Sequence, residues 1–362
     1  MAPPRAKLQK DRVLIADEKE ANTLYNKGAF GVPQSGGALL LDLVEALYLV
    51  EHNRLAVDGH DPASLLRVAS AAERDFEVRY IVYRDLRNRT FTVKPSNLAD
   101  SATPGRVVGP GFAGAFNVYP RGAIPGRTAS THLVRCVSER GSLEGATLLD
   151  EVTRARKHQK TLLVALVDEE GDLTYYDATE PSLSADAQAL PGFVADAHLL
   201  EDRVVVSDPD QRRALFAEGY FGRDVGLAHQ LSLPEAAYLA EADRIRVRTA
   251  DGAPVTTEEL RERATALEPE FPLRLALYRA LRRRGLVVKT GFKFGTHFRV
   301  YTGAPDEEHA PYLVHALAPE RRVAWPEVAG FVRLAHGVRK RLFFAIPTGD
   351  DFRLLELARR KP

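Results

Sequence analysis

The chain has 362 residues, of which 45% are hydrophobic and 27% are charged. This length predicts two or three domains of ~150 residues, each with its own core. No stretch approaches the ~18 apolar residues of a membrane span, and the N-terminus lacks the apolar segment of a secretory signal. The single cysteine, Cys136, excludes a disulfide framework and a cysteine-based zinc site. We therefore expect a cytoplasmic protein without membrane segment or cofactor.

The net charge of +1 is the sum of two opposed parts. Residues 271–362 hold 18 Lys and Arg against eight Asp and Glu, a net charge of +10, whereas residues 1–270 carry −9. A basic C-terminal part favours a polyanionic partner, nucleic acid first. Residues 161–200 hold eight acids and no Lys or Arg, which is typical of a linker or of a surface that meets a basic partner.

Four blocks of sequence occur twice in the same order. Residues 13–31 match residues 204–222, and three further pairs follow: 45–49 with 235–239, 76–94 with 271–289, and 152–166 with 332–346. The repeats predict one unit of ~180 residues present twice. A Gly/Pro-rich segment, 101–127, is predicted to be a long loop or an insertion in the first copy only.

Each unit is predicted to have two parts. The first alternates short strands with helices, and the second begins with a helix that has Pro272 in its first turn and Gly285 at its end. Strands at 286–289, 297–301 and 312–318 follow, then a helix near 326–336 and a last strand at 341–347. The pattern predicts a mixed α+β fold in tandem duplication. The predicted subdomains are 1–72, 73–185, 186–268 and 269–362.

Residues 291–317, GFKFGTHFRVYTGAPDEEHAPYLVHAL, and 331–346, FVRLAHGVRKRLFFAI, resemble the catalytic domain of the tRNA-splicing endonucleases. The resemblance covers nearly all of both units and is to the archaeal form with two fused units. The catalytic triad of that family is a Tyr that closes the FRVY strand, a His in the loop before YLV, and a Lys before the last core strand. On this chain these residues are Tyr301, His309 and Lys340.

The resemblance implies an endoribonuclease that excises introns from precursor tRNA at bulge–helix–bulge junctions. The neighbouring 2′-OH would be the nucleophile, leaving a 2′,3′-cyclic phosphate and a 5′-OH. Tyr301 would be the general base, and because a phenol ionises only near pH ~10, it needs a nearby cation such as Lys340. Lys340 would also stabilise the phosphorane, and His309 would protonate the departing oxygen. No metal and no cofactor are implied.

Each triad residue alone has a plainer interpretation. Tyr301 would be an aromatic residue at a sheet edge, His309 a loop histidine in a charged turn, and Lys340 a member of a solvated basic cluster. Their joint occurrence at the family spacing favours catalysis. Three other histidines are candidates for the acid: His297, His315 and His336. Strand alternation predicts His297, Arg299 and Tyr301 on one face of a strand.

The first copy departs from the pattern. Tyr119 ends FNVY and Lys160 aligns with Lys340, but Ala129 stands where His309 should fall. We therefore expect the first copy to be catalytically silent.

The resemblance also implies an arginine that packs on a bulge base, and Arg333 is similar to it. Taken alone, Arg333 is equally a solvent-facing helix residue. The second arginine of that clamp is assigned to Arg359. Three further arginines are expected to contact phosphates and to make binding salt-dependent: Arg299, Arg339 and Arg341.

Two splice sites require two active sites, so the resemblance implies a homodimer. The turn with Asp168, Glu169, Glu170 and Asp172 resembles the acidic loop through which a structural unit docks on a catalytic unit. Residues 174–177, TYYD, are predicted to form an edge strand of that contact. Two alternatives remain: a non-catalytic RNA-binding or scaffold subunit, and a metal-dependent nuclease, for which clustered carboxylates are missing.

Overall fold

The structure is a computed structural model that describes residues 2–96, 116–186, 188–307 and 309–361. The chain divides into two compact units. The first comprises Met1–Thr179, Arg322–Val328 and Leu357–Pro362, and the second comprises Glu180–Arg321 and Ala329–Glu356. The first unit therefore contains residues from both ends of the chain.

The first part of the first unit is a small sheet with three helices. Its strands are Arg5–Gln9 (β1), Arg12–Ile15 (β2), Val32–Pro33 (β3), Leu39–Asp42 (β4) and Ala56–Val57 (β5). Its helices are Glu18–Gly28 (α1), Leu43–Glu51 (α2) and Pro62–Ala72 (α3). The strand order is β3-β4-β2-β1-β5.

The second part of the first unit begins with helix Phe76–Asn88 (α4). The strands that follow are Thr92–Pro95 (β6), Phe116–Tyr119 (β7), His132–Ser138 (β8) and Ser142–Leu143 (β9). Helix Gly145–Lys157 (α5) then leads to strands Thr161–Val167 (β10) and Leu173–Thr179 (β11). In the sheet the order is β11-β10-β8-β7-β6.

The second unit repeats this sequence of elements. Its first part consists of Ala195–Leu200 (β12), Arg203–Val206 (β13), Pro209–Ala217 (α6), Arg223–Val225 (β14), Ala228–Leu231 (β15), Leu233–Glu241 (α7), Ile245–Thr249 (β16), Pro254–Val255 (β17) and Thr257–Leu267 (α8). The strand order is β14-β15-β13-β12-β16-β17.

Its second part contains the predicted site. The elements of this part of the repeat are Phe271–Arg283 (α9), Val287–Thr290 (β18), Phe298–Tyr301 (β19), Tyr312–Ala316 (β20), Val323–Ala324 (β21), Trp325–Gly337 (α10), Arg341–Thr348 (β22) and Asp351–Arg360 (β23). Of these, β21, the start of α10 and the end of β23 are grouped with the first unit. The strand order is β18-β19-β20-β22-β23, and the short strand β21 pairs with β9. Strands β20 and β22 are parallel, whereas the other neighbours are antiparallel.

The helix boundaries follow from the sequence. Capping boxes open α2 and α7, because Asp42 and Ser232 each accept a backbone N–H while the Glu at the third position reaches back. Helix α9 has Pro272 in its first turn, as predicted, and Gly285 follows its end with φ +78°. The mixed α/β architecture and the tandem duplication are therefore confirmed, while the four subdomain boundaries stay a prediction.

A buried ion pair joins the two parts of each unit. In the second unit, the Nζ of Lys289 donates to the carboxylate of Glu235 and to the carbonyl of Gly222, at 2.8 Å in both cases. In the first unit, the Nζ of Lys94 lies 3.5 Å from the carboxylate of Glu45. Each lysine belongs to the second part of its unit and each glutamate to the first, so the pair fixes one part against the other.

Two expectations about single segments need correction. Residues 174–177 do not form an edge strand, because β11 lies between β10 and the end of β23. Arg360, in the segment of β23 that belongs to the first unit, donates to Asp177 at 2.8 Å. The predicted long loop 101–127 contains strand Phe116–Tyr119, and its residues 101–115 lie outside the described residues. In the described ranges, no helix is both long and apolar enough to cross a membrane.

Candidate active site

The predicted base and the predicted lysine meet at Ala310, the residue directly after His309. Tyr301 ends strand β19, is only 5% exposed, and forms a small buried cluster with Val287 and Ala310. Lys340 lies between α10 and β22, and its Nζ donates to the carbonyl of Ala310. The loop between β19 and β20 is thus held to the sheet on one side and to the lysine on the other.

His309 itself is exposed in that loop. An acid that must reach a leaving group on a large substrate needs this access, and the loop contacts at Ala310 fix the backbone directly beside it. The three predicted residues therefore come from two strand ends and one loop that the structure brings together. Glu308, the residue before His309, lies outside the described residues.

A second cation stands beside the tyrosine. The guanidinium carbon of Arg299 lies 6.0 Å from the ring centroid of Tyr301, and its Nε is buried with no hydrogen-bond partner among the described residues. Burial lowers the pKa of the Lys340 ammonium, and the charge of Arg299 lowers it further. Arg299, which the sequence assigned to phosphate binding, is therefore an electrostatic neighbour of both Tyr301 and Lys340.

Lys340 also faces an aromatic ring. Its Nζ lies 5.4 Å from the ring centroid of Phe294, which belongs to the short 3-10 turn Phe292–Phe294 between β18 and β19. The sequence analysis did not predict this contact. The signal for it was an aromatic pair enclosed by two glycines, GFKFG.

Two of the alternative acids are internal residues. His297 and His315 stack at 4.1 Å between ring centroids. Burial, aided by nearby positive charge, lowers the pKa of His297 to about 4 and the pKa of His315 to about 3. Both rings are therefore neutral near pH 7, so neither is the imidazolium that acts as a general acid. His336 is exposed in the last turn of α10. These positions favour His309 as the acid.

The predicted RNA-binding arginines occupy different places. Arg333 is exposed on α10, and Arg339 is exposed in a left-handed conformation, φ +54°, directly before Lys340. Arg341 is half exposed but makes a two-pronged ion pair with Glu356 at 2.7 Å, which already balances its charge. Arg359 is exposed near the end of β23, in the segment that belongs to the first unit.

The acidic residues occupy the turn between β10 and β11. Asp168 accepts the backbone N–H of Glu170 and of Asp172, at 3.0 and 2.8 Å, so its carboxylate shapes the turn. Glu169, Glu170 and Asp172 are exposed. Strand pairing leaves five residues in this turn, between Val167 and Leu173. The equivalent turn of the second unit leaves only two residues between its paired strands.

The first unit can be aligned with the second by strand register. His132 pairs with Thr161 in one unit, and Tyr312 pairs with Arg341 in the other. Both positions differ by 180 residues, so Ala129 corresponds to His309, as the sequence indicated. Thus the first unit carries a methyl group at the position where the second carries an imidazole.

The first unit also binds its lysine differently. Lys160 donates to the side-chain oxygen of Asn117 at 2.9 Å, and Ser130 donates to the same oxygen at 3.2 Å. Asn117 takes the place of Arg299, two residues before the terminal tyrosine of its strand. The first unit therefore retains a tyrosine, Tyr119, and a lysine, but not the histidine or the second cation.

The duplicated α+β fold thus carries a tyrosine, a histidine and a lysine at the predicted positions in its second copy only. The family model for the "tRNA intron endonuclease, catalytic C-terminal domain" matches residues 101–175 and 271–353. The model for the "tRNA intron endonuclease, N-terminal domain" matches residues 5–67 and 195–261. The chain belongs to the tRNA intron endonuclease family.

Relatives of nearly the same length support this membership. The chain is 36% identical to the tRNA-splicing endonuclease of Methanococcoides burtonii over 367 residues, which cover 99% of both chains. It is 38% identical to that of Methanosarcina mazei over 366 residues, again 99% of both. It is 37% identical to that of Haloferax volcanii over 341 residues, 90% of both.

Proposed function

We propose that the second unit cleaves precursor tRNA at bulge–helix–bulge junctions and that Tyr301, His309 and Lys340 perform the reaction. The observation that carries the proposal is their convergence at Ala310, which clusters with Tyr301, accepts from Lys340 and follows His309. The first unit, which has Ala129 in place of the histidine, is proposed to be structural.

In the proposed reaction, Tyr301 takes the proton of the 2′-OH next to the scissile phosphate. The 2′-oxygen then bonds to phosphorus, and the bond from phosphorus to the 5′-oxygen breaks. His309 gives its proton to that oxygen, so the products are a 2′,3′-cyclic phosphate and a 5′-OH. The ammonium of Lys340 has two N–H groups besides the one given to Ala310, and these stabilise the phosphorane oxygens.

Arg299 lies beside the proposed base, with its guanidinium carbon 6.0 Å from the centroid of the Tyr301 ring. Arg333 and Arg359 are proposed to contact bulge bases, and Arg339 to contact phosphate. Arg299 reaches phosphate through its outer nitrogens while its buried Nε stays beside the ring.

The proposed reaction uses no metal ion. Acid, base and charge stabilisation are all assigned to side chains, so each of the three usual roles of a metal in phosphoryl chemistry has a candidate among the residues. In the described part of the chain, no three His, Cys, Asp or Glu side chains are grouped to hold a metal. The protein is proposed to act in the cytoplasm.

Two chains are proposed to associate, because one chain holds one complete triad and the substrate has two junctions. The exposed carboxylates of the acidic turn, Glu169, Glu170 and Asp172, are proposed to dock on the basic second unit of the partner. The length of this turn supports the assignment, since the second unit replaces it with a two-residue turn. Asp168 is proposed to join the interface through the turn that it shapes.

One assay tests the reaction. Pure protein is incubated with a synthetic bulge–helix–bulge RNA in EDTA, and the fragment ends are analysed. We expect two cuts with 2′,3′-cyclic phosphate and 5′-OH ends. Products with 3′-OH ends, or cleavage only after addition of a divalent ion, would contradict the mechanism. Binding without any cleavage would instead identify a non-catalytic RNA-binding subunit.

A further inference from the structure

An aromatic side chain stands exposed on the turn beside the proposed site. Phe292 is 86% exposed and begins the 3-10 turn Phe292–Phe294. A single exposed apolar residue is ordinary on a protein surface. Phe292 differs from such a residue in two respects: hydrogen bonds close the backbone of its turn, and the turn lies next to Lys340.

The backbone of the turn is closed by hydrogen bonds. The N–H of Gly291 donates to the carbonyl of His297 at 3.0 Å, and the N–H of Phe294 donates to Gly291 at 2.8 Å. A Cβ on Gly291 would lie 2.4 Å from the hydroxyl oxygen of Thr296, and Gly295 has φ +62°. Both glycines are therefore required by the turn, and the turn holds Phe292 outward in one place.

The turn lies next to the proposed catalytic lysine. Phe294, two residues after Phe292, faces the Nζ of Lys340 at 5.4 Å. Lys293, between the two aromatic residues, is exposed. Phe292 thus stands among positive charges that attract phosphates, at a turn that already contacts the site.

We propose that Phe292 is a stacking platform for an unpaired base of the substrate RNA beside the scissile phosphate. The proposal rests on the proposed function and adds a base-binding subsite to it. Aromatic side chains bind splayed-out bases by stacking, whatever the base, and a base inside a paired helix is not available to them. A protein partner is disfavoured, because the exposed Lys293 follows Phe292 in the turn and a turn this short provides far less than the ~1,000 Å² of a specific protein interface.

The test compares RNA binding by full-length variants. The probes are a bulge–helix–bulge RNA with 2-aminopurine in the bulges and a 2′-deoxynucleotide at each scissile position, which removes the nucleophile, and a fully paired RNA of equal length. We expect Phe292→Ala to weaken binding of the bulged RNA by about tenfold to a hundredfold and to leave binding of the paired RNA unchanged. Phe292→Trp should restore the affinity and the quenching of 2-aminopurine fluorescence that Phe292→Ala loses.

Two further variants serve as controls. Leu227→Ala removes an equally exposed apolar side chain, 93% exposed, from the hairpin of β14 and β15, and should change neither affinity. Lys293→Gln removes a charge from the same turn and should weaken both RNAs alike, which separates phosphate contact from stacking.

Wild-type affinity of Phe292→Ala for the bulged RNA would overturn the proposal. A change in the mass of the assembly by light scattering, with RNA binding unchanged, would overturn it in favour of a protein contact. The proposed function is tested separately, because binding and fluorescence are measured without cleavage. A chain that binds and quenches the bulge but never cuts would refute the reaction and leave the stacking result intact.

Discussion

The two copies of the unit share their framework and differ in what their lysines contact. In the second copy, Lys340 donates to a backbone carbonyl in the histidine loop. In the first copy, Lys160 donates to the side chain of Asn117. The backbone around both lysines is alike: the N–H of Lys340 donates to the carbonyl of Ala335 at 2.9 Å, and the N–H of Lys160 donates to the carbonyl of Ala155 at 3.0 Å. A shared fold therefore does not ensure a shared chemistry.

The buried ion pair shows the opposite behaviour. Lys94 with Glu45 and Lys289 with Glu235 occur at equivalent places in both copies. Burial lowers the pKa of Lys94 despite the neighbouring carboxylate. The ion pair therefore joins the two parts of a unit in both copies, whereas the histidine is present in the second copy only.

The largest expected effect is on the cleavage rate and concerns the histidine that only the second copy has. His309→Ala should lower the single-turnover cleavage rate by about 10²- to 10⁴-fold, because it removes the acid, with RNA affinity nearly unchanged. His336→Ala, on the exposed end of α10, is the matched control and should cleave normally. An equal loss of RNA affinity in His309→Ala would show that the residue holds the loop or the substrate instead.

The next effect is on the free energy of unfolding and concerns the buried Lys–Glu ion pair that both copies have. Lys289→Met should lower the free energy of unfolding by about 3–5 kcal/mol, because Glu235 is left buried without its partner. Lys94→Met should act in the same direction but less, since its ion pair is longer, 3.5 Å against 2.8 Å. Urea denaturation of both variants measures this, and a loss confined to Lys94→Met would contradict the comparison.

A smaller effect is expected at the acidic turn. Glu170→Lys should weaken the proposed dimer by about tenfold, because it places a cation where the partner surface is proposed to be basic. Asp350→Lys, in the two-residue turn of the second unit, is the matched control. Analytical ultracentrifugation measures both dissociation constants. Equal weakening by the two substitutions would remove the acidic turn from the interface.

The smallest effect is a shift in pH dependence. The pKa of Lys340 is lowered by burial and then by Arg299, so its charge is lost at a lower pH than in a free lysine. Activity that needs this charge should therefore fall on the alkaline side below the ordinary value of 10.5. Arg299→Leu removes one cause and should move the alkaline limb of the single-turnover rate to higher pH.

Arg339→Leu is the control for that shift, because Arg339 is exposed and adjacent in sequence to Lys340. It should leave the alkaline limb in place even where it weakens RNA binding. An alkaline limb that moves to lower pH in Arg299→Leu would contradict the assigned electrostatics.

Repeats and the spacing of motifs along the chain predicted more of this structure than the residue pattern within single strands did. The duplication, the helix starts at capping residues and the positions of Tyr301 and Lys340 at strand ends follow from spacing and from repeats. The prediction of an edge strand at 174–177 was wrong, because its neighbour β23 lies some 180 residues later in the chain. A strand pattern shows which side chains alternate but not which distant strand supplies the hydrogen bonds.

The electrostatics of the site could not be predicted either, because they depend on which distant residues pack together. Arg299 was assigned to phosphate because of its charge, and strand alternation predicted that it shares a face with Tyr301, but nothing in the sequence indicates that its Nε is buried. Similarly, His297 and His315 are 18 residues apart in sequence and stack only once β19 and β20 pair. Burial and its effect on pKa arise from packing, so the sequence could not rank the histidines.

The order of synthesis gives the divided first unit a consequence. Because its segments include Leu357–Pro362, the first unit lacks a piece until the ribosome has synthesised these residues. Strand β11 has β23 as its outer neighbour, and Arg360 of β23 donates to Asp177 of β11. A ribosome that stops before β23 therefore releases a first unit whose strand β11 lacks that neighbour.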